Sequence, residues 1–78
     1  MASRGRALAI ELKVWRDDEA DPQVAGLAQL DRYLAGLGLD RGWLVIFDRR
    51  AGAPRVAERT AASEVASPAG RRVTVIRA

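Results

Sequence analysis

The sequence contains neither cysteine nor histidine, and none of its apolar runs is long enough to cross a bilayer. Disulfide bonds, and zinc sites built from these two residue types, are therefore excluded. Any bound metal would need oxygen ligands, which suit hard cations such as Mg²⁺ or Mn²⁺. No apolar stretch of signal-peptide length follows Met1. We therefore expect a cytoplasmic protein that does not enter a membrane.

Lysine is also scarce, because Lys13 is the only lysine among 13 basic residues. The formal net charge of +3 is compatible with a phosphate-rich partner such as DNA. The abundance of Ala, Arg and Gly equally reflects a GC-rich genome. Ammonium and guanidinium groups do different chemistry, so we expect Lys13 to occupy a position where arginine cannot substitute. At 78 residues, we interpret 1–78 as a single domain or part of one.

Residues 7–15 alternate between apolar and mixed positions, which predicts a β-strand. One face is aliphatic, and we expect it to pack against the core. The other face carries two opposite charges, Glu11 and Lys13, and ends with Trp15. The aliphatic face consists of Leu8, Ile10, Leu12 and Val14.

A helix is predicted over roughly 22–37, with Asp21 as its N-cap and Pro22 in its first turn. Gly36 and Gly38 can supply a left-handed stop. The continuous apolar run 43–47 is typical of a strand buried on both faces. Strand, helix and strand together predict a right-handed β-α-β crossover with two parallel strands. The apolar side of the helix is formed by Val24, Leu27, Leu30, Leu34 and Leu37.

The C-terminal third gives weaker patterns. A short strand is predicted over roughly 55–60 and a clearer one over 72–76, entered through the turn-rich segment 67–70. The two strands can pair as a hairpin or extend the edge of the sheet. The sequence as a whole predicts an α/β fold, with a β-α-β crossover followed by a C-terminal β-hairpin or edge strands.

Glu11 and Lys13 share one face of their strand, about 7 Å apart along the backbone. Phosphodiester hydrolysis uses a divalent cation held by carboxylates and a positive group near the developing charge. A carboxylate and an ammonium on one strand face fit that requirement. A Glu-x-Lys triplet also arises by chance in many proteins. The alternative is an ion pair on a half-solvated strand, which contributes little to stability.

Three linked segments carry a resemblance to a known family. The strand 10–14 resembles the (D/E)-x-K strand of the PD-(D/E)XK, or restriction-endonuclease-like, nuclease superfamily. Gln29 and Tyr33 are similar to the Q-x-x-x-Y element that follows this strand in the RecB-type branch. The segment 42–48 resembles the next core strand. The run 10–50 most closely resembles the nuclease-like C-terminal domains of bacterial AAA-type ATP-binding proteins.

The resemblance implies a truncated restriction-endonuclease-like core with Mg²⁺ or Mn²⁺ as cofactor. It implies that Glu11 and the backbone carbonyl of Leu12 are metal ligands and that Lys13 is the catalytic lysine. Gln29 and Tyr33 would flank the site, being one helical turn apart beside the apolar stripe. The alternatives are a solvated glutamine and an aromatic residue at the edge of the core.

The departure from the family pattern is equally informative. The family places an essential Asp on a strand before the (D/E)-x-K strand, whereas residues 1–9 contain no acidic residue. Asp17, Asp18 and Asp21 lie in the following loop and do not match the motif. The predicted metal site therefore contains only part of the family's ligand set. A single helix also leaves one apolar sheet face uncovered, which predicts a homo-oligomer or a partner protein on that face.

Three functions remain open, so whether the chain is an enzyme is not decided by its sequence. The first is a metal-dependent nuclease completed by a partner or a second copy. The second is a non-catalytic remnant that acts as a protein-interaction or oligomerisation module, associated with an ATPase. The third is a small nucleic-acid-binding domain that uses its arginines without chemistry.

Overall fold

The computed structural model describes residues 9–52 and 60–78. Within these residues a mixed four-stranded sheet packs against a single helix, which makes the fold α/β. In chain order, the elements are β1 (Ile10–Trp15), α1 (Gln23–Leu37), β2 (Arg41–Asp48), β3 (Ala61–Ala66) and β4 (Arg72–Arg77).

The strands lie in the order β1-β2-β4-β3. β1 is parallel to β2, so the predicted β-α-β unit with two parallel strands is confirmed. β4 is parallel to β2 on the other side, and β3 pairs antiparallel with β4. The C-terminal strands therefore form a hairpin. Its first strand is Ala61–Ala66, and the strand predicted over roughly 55–60 lies almost entirely outside the described residues.

The ends of α1 follow local signals with a small shift. The helix begins at Gln23, one residue later than predicted, and Pro22 occupies the cap position. The Asp21 carboxylate still accepts a hydrogen bond from the Gln23 amide at 3.0 Å. At the other end Gly38 adopts φ 70°, the left-handed conformation expected of a helix stop. Gly36 is inside the helix.

The core lies between α1 and one face of the sheet. Two glycines allow the close approach of the two layers. A Cβ on Gly26 would lie 2.7 Å from Leu44 Cδ1, and a Cβ on Gly42 would lie 3.0 Å from Leu30 Cδ2. The buried hydrophobic residues are Ala9, Leu27, Leu30, Leu34, Leu44, Ile46, Val73 and Val75.

The aliphatic side of β1 does not face this core, so that prediction is wrong. Ile10 and Leu12 are 55% and 62% exposed, whereas Ala9 on the opposite side is buried. The register explains the reversal, because Glu11 lies beside Leu44, which is buried under α1. Alternation along one strand separates its two faces, but the neighbouring strand and the helix decide which face is covered.

The opposite side of the sheet carries no helix in the described part of the chain, and we call it the open face. β2 alternates between buried and exposed residues, so the prediction that it is buried on both faces is wrong. The expected uncovered apolar face is present instead. Its exposed large hydrophobic residues are Ile10, Leu12, Val14, Trp43 and Phe47.

A polar clasp joins α1 to the turn between β3 and β4. The Asp31 carboxylate accepts hydrogen bonds from the Ser67 hydroxyl at 2.5 Å and the Ala69 amide at 3.0 Å. Arg71 adds an ion pair to Asp31 at 3.2 Å and donates to the Leu39 carbonyl. The clasp therefore fixes the hairpin relative to the helix.

Candidate functional site

Glu11 and Lys13 lie side by side on the face of the sheet that α1 covers. Lys13 Nζ is 3.5 Å from Glu11 Oε2, and the side chains are 24% and 13% exposed respectively. The ion pair that served as the alternative interpretation is thus present in the structure. It is mostly buried rather than solvated, so removing either partner would leave the other charge in a poorly hydrated place.

The Leu12 backbone lies at a free edge of the sheet. In the described residues β1 pairs only with β2. The carbonyls of Ala9 and Trp15 accept hydrogen bonds from β2 and the residue after it. In a parallel pair, alternate residues direct both backbone groups to the same neighbour. The backbone groups of Ile10, Leu12 and Val14 therefore point away from β2, and the Leu12 carbonyl is available to an incoming group.

Gln29 and Tyr33 lie on the side of α1 above β1. Tyr33 lines a shallow cleft together with Ala9 and Ile10. The helix runs antiparallel to β1 because it connects two parallel strands. Gln29 is one turn earlier, about 6 Å along the helix, and therefore lies on the Glu11 side of Tyr33. The Oε1 atom of Gln29 is buried and has no hydrogen-bond partner among the described residues. This position fits a residue that flanks the Glu11–Lys13 pair.

The aspartates of the loop after β1 have other partners. Asp17 accepts a hydrogen bond from the Ala51 amide at 3.0 Å. Asp21 forms an ion pair with Arg77 at 2.8 Å. Asp18 is exposed, with φ 66°. The described residues contain no group of three His, Cys, Asp or Glu side chains that could hold a metal ion. Among the described residues, Glu11 and the Leu12 carbonyl alone would be a poor cage for Mg²⁺.

A second charged cluster lies at the carboxyl ends of the parallel strands, and the sequence patterns did not predict it. Arg50 donates two hydrogen bonds to the Asp48 carboxylate, at 2.9 and 2.7 Å. Its guanidinium also lies 3.5 Å from the centroid of the Trp15 ring, a cation–π distance. The Arg77 guanidinium lies 5.8 Å from the centroid of the same ring and donates a hydrogen bond to the Gln23 side-chain oxygen. The sequence gives one indication of this cluster: residues 48–50 directly follow the apolar run 43–47, which is predicted to be a strand.

Asp31 and Arg50, both among the described residues, have shifted pKa values that arise from structural contacts. The hydrogen bond from Ser67 lowers the pKa of Asp31, with further contributions from the Ala69 amide and Arg71 that outweigh the opposing effect of burial. The hydrogen bonds to Asp48 raise the pKa of Arg50. Because both shifts favour the charged forms, these groups hold the fold together rather than exchange protons near neutral pH.

Comparison with known proteins gives no match. No protein-family model matches the chain, and neither a curated protein nor a solved structure matches it. In the described residues, no helix combines the length and apolar character needed to cross a membrane.

Proposed function

We propose that the chain is the Glu-x-Lys half of a PD-(D/E)XK-type nuclease domain. In this proposal it hydrolyses phosphodiester bonds of nucleic acid when a partner or second copy adds a carboxylate at the β1 edge. One observation carries the proposal: Glu11 and Lys13 lie on one face of β1, and no strand among the described residues pairs with the edge of β1 that points away from β2. The strand–helix–parallel strand order and the position of Gln29 on the Glu11 side of Tyr33 agree with the same interpretation.

The proposed metal site needs a further ligand, and the geometry of β1 determines the side from which that ligand can approach. Among the residues that the structure describes, the chain supplies one carboxylate, from Glu11, and one carbonyl, from Leu12. Mg²⁺ in proteins binds one or two carboxylates together with waters and substrate phosphates. A strand added beside β1 would bring its side chains within about 5 Å of those of Glu11 and Lys13. The free edge is therefore the place from which a second carboxylate can reach the pair.

The test is hydrolysis of labelled single- and double-stranded DNA and RNA with Mg²⁺ or Mn²⁺. We expect metal-dependent cleavage that is lost in Glu11→Ala and in Lys13→Ala. Glu64→Ala is the matched control, because Glu64 lies in β3 and its side chain is 63% exposed. Circular dichroism of each variant checks that the fold survives. Cleavage that persists in both site variants, or that never appears in the wild-type protein over a range of concentrations, contradicts the proposal.

A second candidate is a protein-interaction or oligomerisation module without catalysis, associated with an ATPase. The open face favours it, because Trp43 and Phe47 are 40% and 37% exposed beside three aliphatic residues of β1. Sheets of parallel strands are normally covered on both faces. Such an apolar patch is typical of surfaces that bind another protein.

Substitution on the open face tests this candidate. We expect Phe47→Glu to reduce association while changing the free energy of unfolding by less than about 1 kcal/mol, since the side chain is partly exposed. Val24→Glu is the control, because Val24 is 78% exposed and lies on α1, away from the open face. Equal effects of the two substitutions, or a wild-type protein that binds nothing by this face, would rule the candidate out.

A further inference from the structure

The free edge of β1 has a sequence that complements itself when two copies run antiparallel. The strand reads Ile10-Glu11-Leu12-Lys13-Val14, with one charge of each sign placed symmetrically about Leu12. We propose that a second copy of this chain extends the sheet by antiparallel pairing of the two β1 strands, with Leu12 on the two-fold axis. The pairing would give one continuous sheet across two copies.

Only alternate residues of β1 direct their backbone groups to the free edge, and this limits the registers in which a second strand can pair. Ile10, Leu12 and Val14 direct both their N–H and C=O groups to the free edge, because the alternate residues bond to β2. In an antiparallel pair, residues that exchange both hydrogen bonds lie directly opposite each other. The outward-facing residues of one copy must therefore lie opposite those of the other. Shifts by a single residue are excluded.

Charge then selects among the remaining registers. With Leu12 opposite its own copy, Glu11 of each copy lies opposite Lys13 of the other, and Ile10 lies opposite Val14. A shift of two residues one way places Glu11 opposite Glu11, and the other way places Lys13 opposite Lys13. Opposite charges across a strand pair stabilise it, and like charges destabilise it. The symmetric register alone pairs both charges favourably.

The helices leave room for this arrangement. α1 contacts both β1 and β2, since Tyr33 lies in a cleft with Ala9 and Gly26 approaches Leu44. With strands about 4.8 Å apart, the two α1 helices would lie about 10–14 Å apart on the same face of the joined sheet. Packed helices lie about 8–10 Å apart, so they do not collide. The pairing would also cover Tyr33 and Leu37, which are 56% and 53% exposed.

The pairing would complete the site, a consequence that rests on the proposed function. Glu11 of the second copy would lie opposite Lys13, with the Cα atoms of the two Glu11 residues about 8 Å apart across the axis. Two glutamate side chains can span that distance to one divalent cation. The Leu12 carbonyl would accept a backbone hydrogen bond, and the second carboxylate would take its place as a ligand. Each copy would thus contribute one carboxylate.

Cysteine cross-linking tests the register directly, because the chain has no cysteine of its own. Residues that exchange both hydrogen bonds have Cα atoms about 5.5 Å apart, within the range of a disulfide. We expect Leu12→Cys to form a covalent dimer on mild oxidation. Ile10→Cys and Val14→Cys should cross-link when mixed but not separately. Val24→Cys, at a position that is 78% exposed on α1, is the control and should remain monomeric on a denaturing gel.

Charge exchange gives a second, non-covalent readout. By sedimentation, we expect Glu11→Lys and Lys13→Glu each to weaken dimerisation at least about tenfold, because two like-charged pairs then face each other. The combined Glu11→Lys, Lys13→Glu variant restores opposite charges and should return the dissociation constant to within about threefold of wild type. Circular dichroism confirms that each variant is folded.

Three outcomes overturn this inference: a wild-type protein that is monomeric at every concentration, equal cross-linking through positions 12 and 24, or a combined variant that does not recover. The proposed function fails on different results. A dimer in this register that lacks metal-dependent cleavage contradicts the nuclease proposal alone. Metal-dependent cleavage by a single copy bound to a different protein that supplies the carboxylate contradicts the dimer alone.

Discussion

The ammonium group of Lys13 lies 3.5 Å from the Glu11 carboxylate, on the face of the sheet that α1 covers. Because both side chains are mostly buried, each charge depends on the other for compensation. We predict that Glu11→Gln and Lys13→Met each lower the free energy of unfolding by about 1–3 kcal/mol, and that the double variant loses less than the sum. Urea unfolding of the four proteins measures the coupling. Strictly additive losses would show that the two groups act independently.

Two glycines of the same helix should respond in opposite directions to alanine. A Cβ on Gly26 would lie 2.7 Å from a buried leucine, whereas a Cβ on Gly36 meets nothing within 4 Å. We predict that Gly26→Ala destabilises the protein by about 1–3 kcal/mol through overpacking. Gly36→Ala should stabilise it by about 0.5–1 kcal/mol, because alanine favours the helix. Thermal unfolding distinguishes the two. Stabilisation by both would mean that the helix can move away from the sheet.

The Asp31 clasp should make the stability of the fold depend on pH in the acid range. The Ser67 hydrogen bond lowers the pKa of Asp31 in the folded protein. The carboxylate therefore contributes stability above its unfolded pKa of about 3.9, and this contribution is lost as the pH falls through the lower folded pKa. We predict that Asp31→Asn reduces stability at pH 7 and flattens its dependence below about pH 4. Chemical unfolding across that range gives the comparison.

A variant that keeps the wild-type slope in acid would show that other carboxylates govern it. Glu64→Gln is the matched control, because Glu64 has only a 3.8 Å contact with Arg72 and both side chains are well exposed. We expect this substitution to leave the acid dependence nearly unchanged.

The Arg50 guanidinium should be detectable through the fluorescence of Trp15. It lies 3.5 Å from the indole ring while donating two hydrogen bonds to Asp48. Lysine cannot reproduce this planar, two-pronged geometry. In a Trp43→Phe background, we predict that Arg50→Lys shifts the Trp15 emission to longer wavelength and destabilises the protein. Arg49→Lys, at an exposed neighbouring position, should change neither. An unchanged spectrum in the Arg50 variant would contradict the stacking.

Local sequence patterns predicted the elements but not the side of the sheet that is covered. The alternation of β1 and the helical spacing around Leu30 depend on neighbouring residues, so they can be identified in one segment. The covered face depends on the close approach of Gly26 to Leu44, residues from different elements. Nothing in the β1 pattern distinguishes an aliphatic face that packs inside from one that remains exposed.

The contacts at the candidate site likewise divide into those that a local sequence pattern predicts and those that it does not. The sequence placed Glu11 and Lys13 on one face, and the structure brings them within 3.5 Å. The clasp between Asp31 and Ser67 joins residues 36 apart, and the ion pair between Asp21 and Arg77 joins residues 56 apart. Such contacts depend on how the hairpin docks, and no local spacing indicates them. They also account for loop aspartates that sequence alone left free to approach Glu11.

The position of β4 has a consequence for synthesis on the ribosome. β4 is the last of the four strands to be made, yet it lies inside the sheet, between β2 and β3. Until Arg72–Arg77 leave the exit tunnel, β3 has no partner and β2 has one unpaired edge. Folding of this sheet must therefore wait for its final strand. A premature stop codon before residue 72 would remove an interior strand rather than trim an edge, leaving a nascent chain for proteases to clear.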